Sequence, residues 1–228
     1  RGNARMQCFV ALVLGIISFQ AHASNKLYVV GYAHLDTQWR WDYRRTIGQF
    51  LPETLQDNFA RFEKYPGYHF NFTGAYRYAL MKEYYPKDFA RMREYIKAGR
   101  WHVAGSSVDE AEAIMSSSES VFRQILYGNR YFRREFGTES WDYMLPDCFG
   151  FPASLPTILN HAGLLGFSTQ KLTWRSAVGI PFNLGKWLGP DGTGVIAAFN
   201  PGDYGGGIGE DLRHEEGWVN RLEDMRTK

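Results

Sequence analysis

Short apolar segments alternate with amphipathic helical segments along most of the chain, and this alternation restricts the folds that it can adopt. Six segments have the composition of strands: residues 26–33, 68–73, 101–105, 140–145, 167–171 and 194–199. They recur at intervals of roughly 30 to 40 residues, which is typical of parallel strands joined by helical crossovers. The sequence therefore predicts an α/β fold, either a barrel or an open doubly wound sheet.

The segments between the strands carry helix start and stop signals. Four helices are predicted, beginning at or near Pro52, Pro86, Ser117 and Pro156. The third is expected to have a capping box formed by Ser116 and Glu119, and to close at Gly137. Glycine is frequent from about Pro181 onward, which predicts long loops around the strand at 194–199.

The first 23 residues resemble a secretory signal peptide. A basic flank at Arg5 precedes an apolar run of 12 residues at 8–19, and Ala21-His22-Ala23 fits the small-x-small cleavage pattern. The run is shorter than the roughly 20 apolar residues that span a bilayer. We therefore expect a signal peptide at residues 1–23, with 1–5 as an upstream extension. The mature chain is expected to be secreted or periplasmic, without a membrane span.

The charge of residues 24–228 argues against some classes of partner. Removing residues 1–23 takes away two of the 26 basic residues and leaves 24 to balance 24 acidic residues. A formal charge of zero does not favour binding to nucleic acid or to an anionic membrane. Cys148 is then the remaining cysteine, so no intrachain disulfide is expected, which fits a bacterial periplasm.

His34-Leu35-Asp36 directly follows the first apolar segment. Residues i and i+2 of a strand point to the same face, so both side chains can meet one cation. A ring nitrogen and a carboxylate oxygen suit zinc. Trp39 adds a flat apolar wall of the kind on which sugars stack. A histidine and an aspartate alone are a weak motif, and a capped strand end explains them as well.

A second motif, Pro146-Asp147-Cys148-Phe149-Gly150, follows the segment at 140–145. Functional residues of parallel α/β folds gather at the carboxyl ends of strands, where Asp147 lies together with His34 and Asp36. Asp147 can be a metal ligand, a glycosidic nucleophile or both, and it can equally cap the turn before Pro152. Cys148 is best explained as a small packed thiol.

Other polar residues fit simpler interpretations. Asp109, Glu110 and Glu112 follow the end of a predicted strand, but their spacing suits a loop or a helix start, which we favour over a role in the site. His69 and His102 lie in predicted strands and are expected to be packed or hydrogen-bonded.

Taken in order, the motifs resemble those of the glycoside hydrolase family 38 α-mannosidases. The resemblance runs from about residue 26 to residue 207 and is nearest to the bacterial and cytosolic-type branch. It rests on His34-Leu35-Asp36 with Trp39, Pro146-Asp147-Cys148-Phe149-Gly150-Phe151-Pro152-Ala153-Ser154-Leu155-Pro156, Gly166-Phe167-Ser168-Thr169-Gln170-Lys171-Leu172-Thr173-Trp174, Asp191-Gly192-Thr193 and Pro201-Gly202-Asp203.

This resemblance implies a (β/α)7 barrel with one Zn²⁺ ion and retaining hydrolysis of terminal α-mannosyl residues of N-glycans or mannans. By motif, it makes His34, Asp36 and Asp147 zinc ligands and Asp147 also the catalytic nucleophile. Trp39 and Phe149 would line the mannose subsite, and Lys171 falls at the position of a basic site residue.

The resemblance also implies that residues 24–228 are the N-terminal part of a longer catalytic barrel domain, which is expected to be inactive alone. In the family, the acid/base aspartate and a further zinc-ligating histidine lie on later strands. Two alternatives remain: a metal-dependent polysaccharide deacetylase, weakened because no H-x-x-x-H pair is present, and a non-catalytic fragment that binds sugar or zinc. The sequence leaves the oligomeric state open.

Overall fold

The computed structural model describes residues 31–173 and 182–199. The predicted signal peptide at residues 1–23, residues 26–30 of the first predicted strand and the Pro201-Gly202-Asp203 motif lie outside this part of the chain. Among the described residues, none of the helices is both long enough and apolar enough to cross a membrane.

Two sheets carry the described strands. In the first, β1 (Phe70–Thr73) pairs in parallel with β2 (Trp101–Ala104). In the second, the strand order is β3-β4-β6-β5, and only the β5–β6 pair is antiparallel. The four strands of this sheet are β3 (Asp142–Met144), β4 (Gly166–Thr169), β5 (Leu184–Leu188) and β6 (Gly194–Phe199).

Helices connect and cover these strands. They are α1 (Tyr43–Arg45), a π-helical turn (Thr46–Phe50), α2 (Leu51–Lys64), α3 (Ala75–Tyr84), α4 (Pro86–Lys97), α5 (Ser118–Phe136), α6 (Leu155–His161) and a 3₁₀ turn (Lys171–Thr173). The cap of α5 differs from the prediction, because Ser117, not Ser116, accepts the backbone N–H of Ser120. Gly137 closes α5 with a φ of 68°, in the left-handed region that glycine adopts without strain.

The alternation of parallel strands and helices is confirmed, but closure into a barrel is not. In the described part of the chain the strands form two separate sheets, and no closed barrel is present. Among the longer elements, helix α3 and strand β5 were not predicted, and β5 turns part of the predicted glycine-rich loop into an antiparallel edge. The short α1, the π-helical turn and the 3₁₀ turn were not predicted either.

The apolar residues form two clusters. The first cluster packs α2, α3 and α4 against β1 and β2, with Phe59, Tyr78 and Trp101 fully buried. The second packs α6 against β3, β4 and β6 around Tyr143 and Phe167. Helix α5 joins the two, since its amino-terminal half packs in the second cluster and its carboxyl-terminal half in the first.

The carboxyl ends of the strands open towards one side of the molecule. Residues Gly31 and Tyr32 run parallel to β1, and the Asn71 amide donates to the Gly31 carbonyl at 2.7 Å. The chain that follows Tyr32 therefore leaves at the same end as Thr73. Beside β2, the amide of Gly105 approaches Asp142 Oδ1 at 3.4 Å, which brings the two sheets next to each other.

The backbone of the loop after β2 packs closely against α5 at Gly128. A Cβ atom added to Gly128 would lie 2.5 Å from the Ser107 carbonyl carbon and 2.7 Å from the Ser106 carbonyl oxygen. Only glycine permits a backbone approach this close. The contact fixes the start of the loop that continues into Asp109 and Glu110.

Candidate functional site

His34, Asp36 and Asp147 come together at the carboxyl ends of the strands. His34 Nε2 lies 3.4 Å from Asp36 Oδ1 and 3.6 Å from Asp147 Oδ2. One ligand atom from each of the three residues lies within 4.8 Å of the other two. The two motifs are 111 positions apart in the sequence, and the parallel strand ends make them neighbours.

Lys171 holds the other oxygen of Asp147. Its Nζ donates to Asp147 Oδ1, whereas Asp147 Oδ2 faces His34. The Lys171 ammonium also lies 4.3 Å from the centre of the Phe149 ring, which is 67% exposed. The structure thus places Lys171 and the exposed ring of Phe149 beside the predicted ligands.

Glu110 contacts the ring nitrogen of His34 that faces away from the two aspartates. Its Oε2 lies 3.3 Å from His34 Nδ1, on the side of the ring opposite to the two aspartates. Its Oε1 accepts the hydroxyl of Tyr32 at 2.7 Å and that of Thr73 at 3.0 Å. The prediction that Glu110 belongs only to a loop or helix start is therefore incomplete, because the residue contacts the cluster directly.

Arg77 is completely buried beneath these residues. Its guanidinium lies 3.2 Å from Asp109 Oδ1 and 3.6 Å from Glu110 Oε1, and its Nε donates to the Leu35 carbonyl at 2.7 Å. Asp109 also accepts the hydroxyl of Thr37 at 2.6 Å. A buried charge requires both ion-pair partners and hydrogen bonds, and Arg77 has both.

These contacts shift the pKa values of His34 and Glu110 in opposite directions. Burial alone would lower the pKa of His34, but the hydrogen bond and charge of Glu110, with the charge of Asp36, outweigh burial and raise it. Burial alone would raise the pKa of Glu110, but His34, Arg77 and Tyr32 outweigh it and lower that pKa. The carboxylates around His34 therefore favour its protonated form more than water does.

The loop that carries Trp39 is anchored at its base. The hydroxyl of Thr46, which is fully buried in the π-helical turn, donates to the Thr37 carbonyl at 2.9 Å and accepts the Trp41 indole N–H at 3.0 Å. Trp39 itself is 64% exposed, with the Arg40 guanidinium 4.5 Å from its ring centre. None of the contacts described for residues 31–173 joins Trp39 to the ligand cluster.

Cys148 is buried, as predicted for a packed thiol. Its Sγ lies 3.4 Å from the Gly150 carbonyl and 3.6 Å from Glu112 Oε1. Burial raises the pKa of the thiol, which keeps it protonated at neutral pH.

The sequence profile described as "Glycosyl hydrolases family 38 N-terminal domain" matches residues 24–223, nearly the whole chain. The chain belongs to glycoside hydrolase family 38. The family assignment favours the predicted relationship with α-mannosidases over the alternative of a polysaccharide deacetylase.

Curated relatives in family 38 carry mannosidase names. The chain is 32% identical over 183 residues to Alpha-mannosidase G of Dictyostelium discoideum, a match that covers 80% of this chain and 17% of the relative. It is 31% identical over 184 residues to Alpha-mannosidase 2C1 of Homo sapiens, covering 80% and 18%. The chain therefore spans less than a fifth of the length of these relatives.

A solved family 38 structure shares the fold. The crystal structure of an alpha-mannosidase from Enterococcus faecalis V583 superposes with a TM-score of 0.70 at 19% identity, covering 87% of this chain and 22% of that chain. At this identity the likeness concerns the fold alone.

Proposed function

We propose that the protein carrying this chain is a metal-dependent, retaining α-mannosidase that removes terminal α-mannosyl residues from N-glycans or mannans. The observation that supports this most strongly is the convergence of His34, Asp36 and Asp147 at the carboxyl ends of parallel strands in a family 38 chain. The activity is proposed for the protein as a whole, because this chain spans only a small share of its relatives.

Zinc fits the donor set. Zn²⁺ accepts histidine nitrogen and carboxylate oxygen, and with bonds of about 2.1 Å its tetrahedral ligands lie about 3.4 Å apart. The distances from His34 Nε2 to the Asp36 and Asp147 oxygens are 3.4 and 3.6 Å. His34, Asp36 and Asp147 would hold the ion, which when bound would act as a Lewis acid towards sugar hydroxyls.

Asp147 is the proposed nucleophile. One carboxylate oxygen would form a bond to the anomeric carbon while the glycosidic C–O bond breaks and the leaving oxygen takes a proton from a carboxylic acid. Water would then cleave the glycosyl ester and restore Asp147. Lys171 supports this role, because its ammonium donates to Asp147 Oδ1 and fixes the orientation of the carboxylate.

The remaining predictions complete the proposal. Trp39 and Phe149 would stack against the apolar face of the sugar, since both rings are exposed at the site end of the molecule. A (β/α)7 barrel is proposed for the complete domain, and a secreted or periplasmic location follows from the signal-like residues 1–23.

The test measures hydrolysis of an aryl α-D-mannoside by the complete protein, with NMR detection of the first anomer released. We expect the α-anomer first, which establishes retention. Asp147→Asn should lower kcat by a factor on the order of 10⁴, since a residue of covalent catalysis is lost. Asp57→Asn is the matched control, because Asp57 is exposed on α2 and pairs only with Arg61 among the described ion pairs.

Two results would contradict the proposal. Release of the β-anomer first would exclude a retaining mechanism. Undiminished turnover by a folded Asp147→Asn protein would exclude Asp147 as the nucleophile. Loss of activity after removal of metal by a chelator, with recovery on addition of Zn²⁺, is expected if the cluster holds a required ion.

A further inference from the structure

The two oxygens of Glu110 have different surroundings. Every described contact of Oε1 is with a hydrogen-bond donor or a cation: the Tyr32 hydroxyl at 2.7 Å, the Thr73 hydroxyl at 3.0 Å and the Arg77 guanidinium at 3.6 Å. Oε2 faces His34 Nδ1 at 3.3 Å. The carboxylate is thus fixed at one oxygen and presents the other to the imidazole ring.

This arrangement matches the form of His34 that can bind a metal ion through Nε2. A neutral imidazole has one N–H donor and one nitrogen acceptor. Glu110 Oε2 can only accept at Nδ1, and without a bound cation Asp36 and Asp147 can likewise only accept at Nε2. A cation held between the aspartates and Nε2 would leave the ring proton on Nδ1, where Glu110 accepts it. The lone pair of Nε2 then points towards Asp36 and Asp147, which lie 3.4 and 3.6 Å away.

We infer that Glu110 is a positioning residue that holds His34 in the Nδ1–H tautomer, so that Nε2 is presented to a metal ion shared with Asp36 and Asp147. The inference rests on the proposed function in one respect, namely that the three residues bind a metal. Histidine ligands of metals commonly donate their second N–H to such a carboxylate, which orients the ring and raises its basicity.

The geometry makes glutamine an informative replacement. In Glu110→Gln, the donors that surround Oε1 would attract the amide oxygen to that position. The NH₂ group would then take the place of Oε2 and donate to His34 Nδ1. The ring proton would have to move to Nε2, the nitrogen that faces the other ligands, so a nearly isosteric change would reverse the tautomer.

The first measurement reads the tautomer of His34 in the full 228-residue chain saturated with Zn²⁺, by long-range ¹⁵N–¹H NMR correlation of the histidine rings. We expect the Nδ1–H form in the wild type and the Nε2–H form in Glu110→Gln. Glu112→Gln is the matched control. Glu112 lies two residues after Glu110 and is exposed, so its replacement should leave the tautomer of His34 unchanged.

The second measurement is the affinity for Zn²⁺ alone, determined by competition with a chelator. Glu110→Gln is expected to weaken binding about 10- to 100-fold, the usual effect of losing such a supporting carboxylate, whereas Glu112→Gln keeps the wild-type affinity. Thermal unfolding of each variant shows whether it is folded. If Glu110→Gln does not fold, the wild-type tautomer still tests the inference, because an Nε2–H ring would overturn it.

The outcomes separate this inference from the proposed function. An Nε2–H tautomer in the wild type, or an unchanged tautomer with unchanged zinc affinity in folded Glu110→Gln, would overturn the role of Glu110. Absence of mannoside hydrolysis by the complete protein would overturn the proposed function, while the tautomer and the zinc affinity would still establish or reject the role of Glu110.

Discussion

Histidines at the two ends of the strands have opposite surroundings. At the carboxyl end, carboxylates of Asp36, Glu110 and Asp147 lie around His34, and its pKa is raised despite burial. At the amino end, His69 Nδ1 lies 3.1 Å from His102 Nε2, with the ring planes 13° apart. The pKa of His102 is lowered, first by burial and then by the charge of His69.

The difference shows which histidine of this fold is placed to act as a metal ligand. Both sites bring ring nitrogens close to another polar group. Within residues 31–173 and 182–199, carboxylates from separate loops converge on a histidine only at the carboxyl end. The described metal-capable group accordingly contains His34 and neither His69 nor His102. The prediction that His69 and His102 are packed or hydrogen-bonded is confirmed, because the two rings form a hydrogen bond with each other.

The largest expected effect comes from removing the buried cation at the site end. Arg77→Met would remove a buried guanidinium from the partly buried carboxylates of Asp109 and Glu110, which should cost about 3–5 kcal/mol in the free energy of unfolding. At the opposite end, Arg100 bonds the carbonyls of Phe62, Tyr65 and Tyr68.

Arg100→Met is the matched control and should cost only about 1 kcal/mol in the free energy of unfolding. It removes hydrogen bonds to backbone carbonyls and leaves no carboxylate without its ion-pair partner. Urea unfolding of the two variants measures both effects. Equal losses of stability in Arg77→Met and Arg100→Met would mean that the ion pairs of Arg77 do not set the carboxyl end of the strands apart from the amino end.

An intermediate effect is expected from Gly128→Ala. The added methyl group would lie 2.5 Å from backbone of the Ser106–Ser107 loop, so α5 or the loop must shift, at about 1–3 kcal/mol. Gly48→Ala is the control, because a Cβ at Gly48 meets nothing within 4 Å. Unfolding midpoints compare the two, and a neutral Gly128→Ala would show that the site end does not depend on this contact.

The smallest effect concerns pH. In the metal-free protein, NMR titration should place the His34 pKa above the ordinary value of about 6.5 and that of His102 below it. His34 then contributes stability that is fully present below its unfolded pKa and is lost as pH rises through its folded pKa. His102 contributes stability that is present above its unfolded pKa and is lost as pH falls through its folded pKa.

Replacing His34 by glutamine should remove its contribution to the pH dependence of the free energy of unfolding. Replacing His102 by glutamine should remove the opposite contribution. If the pKa values of His34 and His102 shifted in the same direction, the contrast between the two ends of the strands would be wrong.

The sequence predicted most of the fold because its apolar periodicity is local. Residues 194–199 were predicted as a strand and form β6, and α4 begins at Pro86 as expected. Helix α3 was missed because its apolar and aromatic residues are distributed without a clear face. Strand β5 was missed because it lies in the glycine-rich stretch and none of the residues of its Leu-Gly-Lys-Trp-Leu segment is fully buried.

The site was predictable only where a motif is short and lies at a strand end. His34, Asp36 and Asp147 met that condition. Glu110 met it as well, but its contact with His34 depends on Tyr32 and Arg77, which are far from it in sequence. Only folding brings those donors together, so charge spacing alone gave the simpler interpretation. The carboxyl-end rule applied to Asp109-Glu110 would have included it.

The candidate ligands lie on two different hydrophobic clusters. His34 and Asp36 flank Leu35, which is buried in the first cluster, and Asp147 lies next to Cys148, which is buried in the second. An ion shared by these residues would act as a cross-link between two separately packed halves. At a free concentration 100 times its Kd, it would add about 2.7 kcal/mol to the stability of their association.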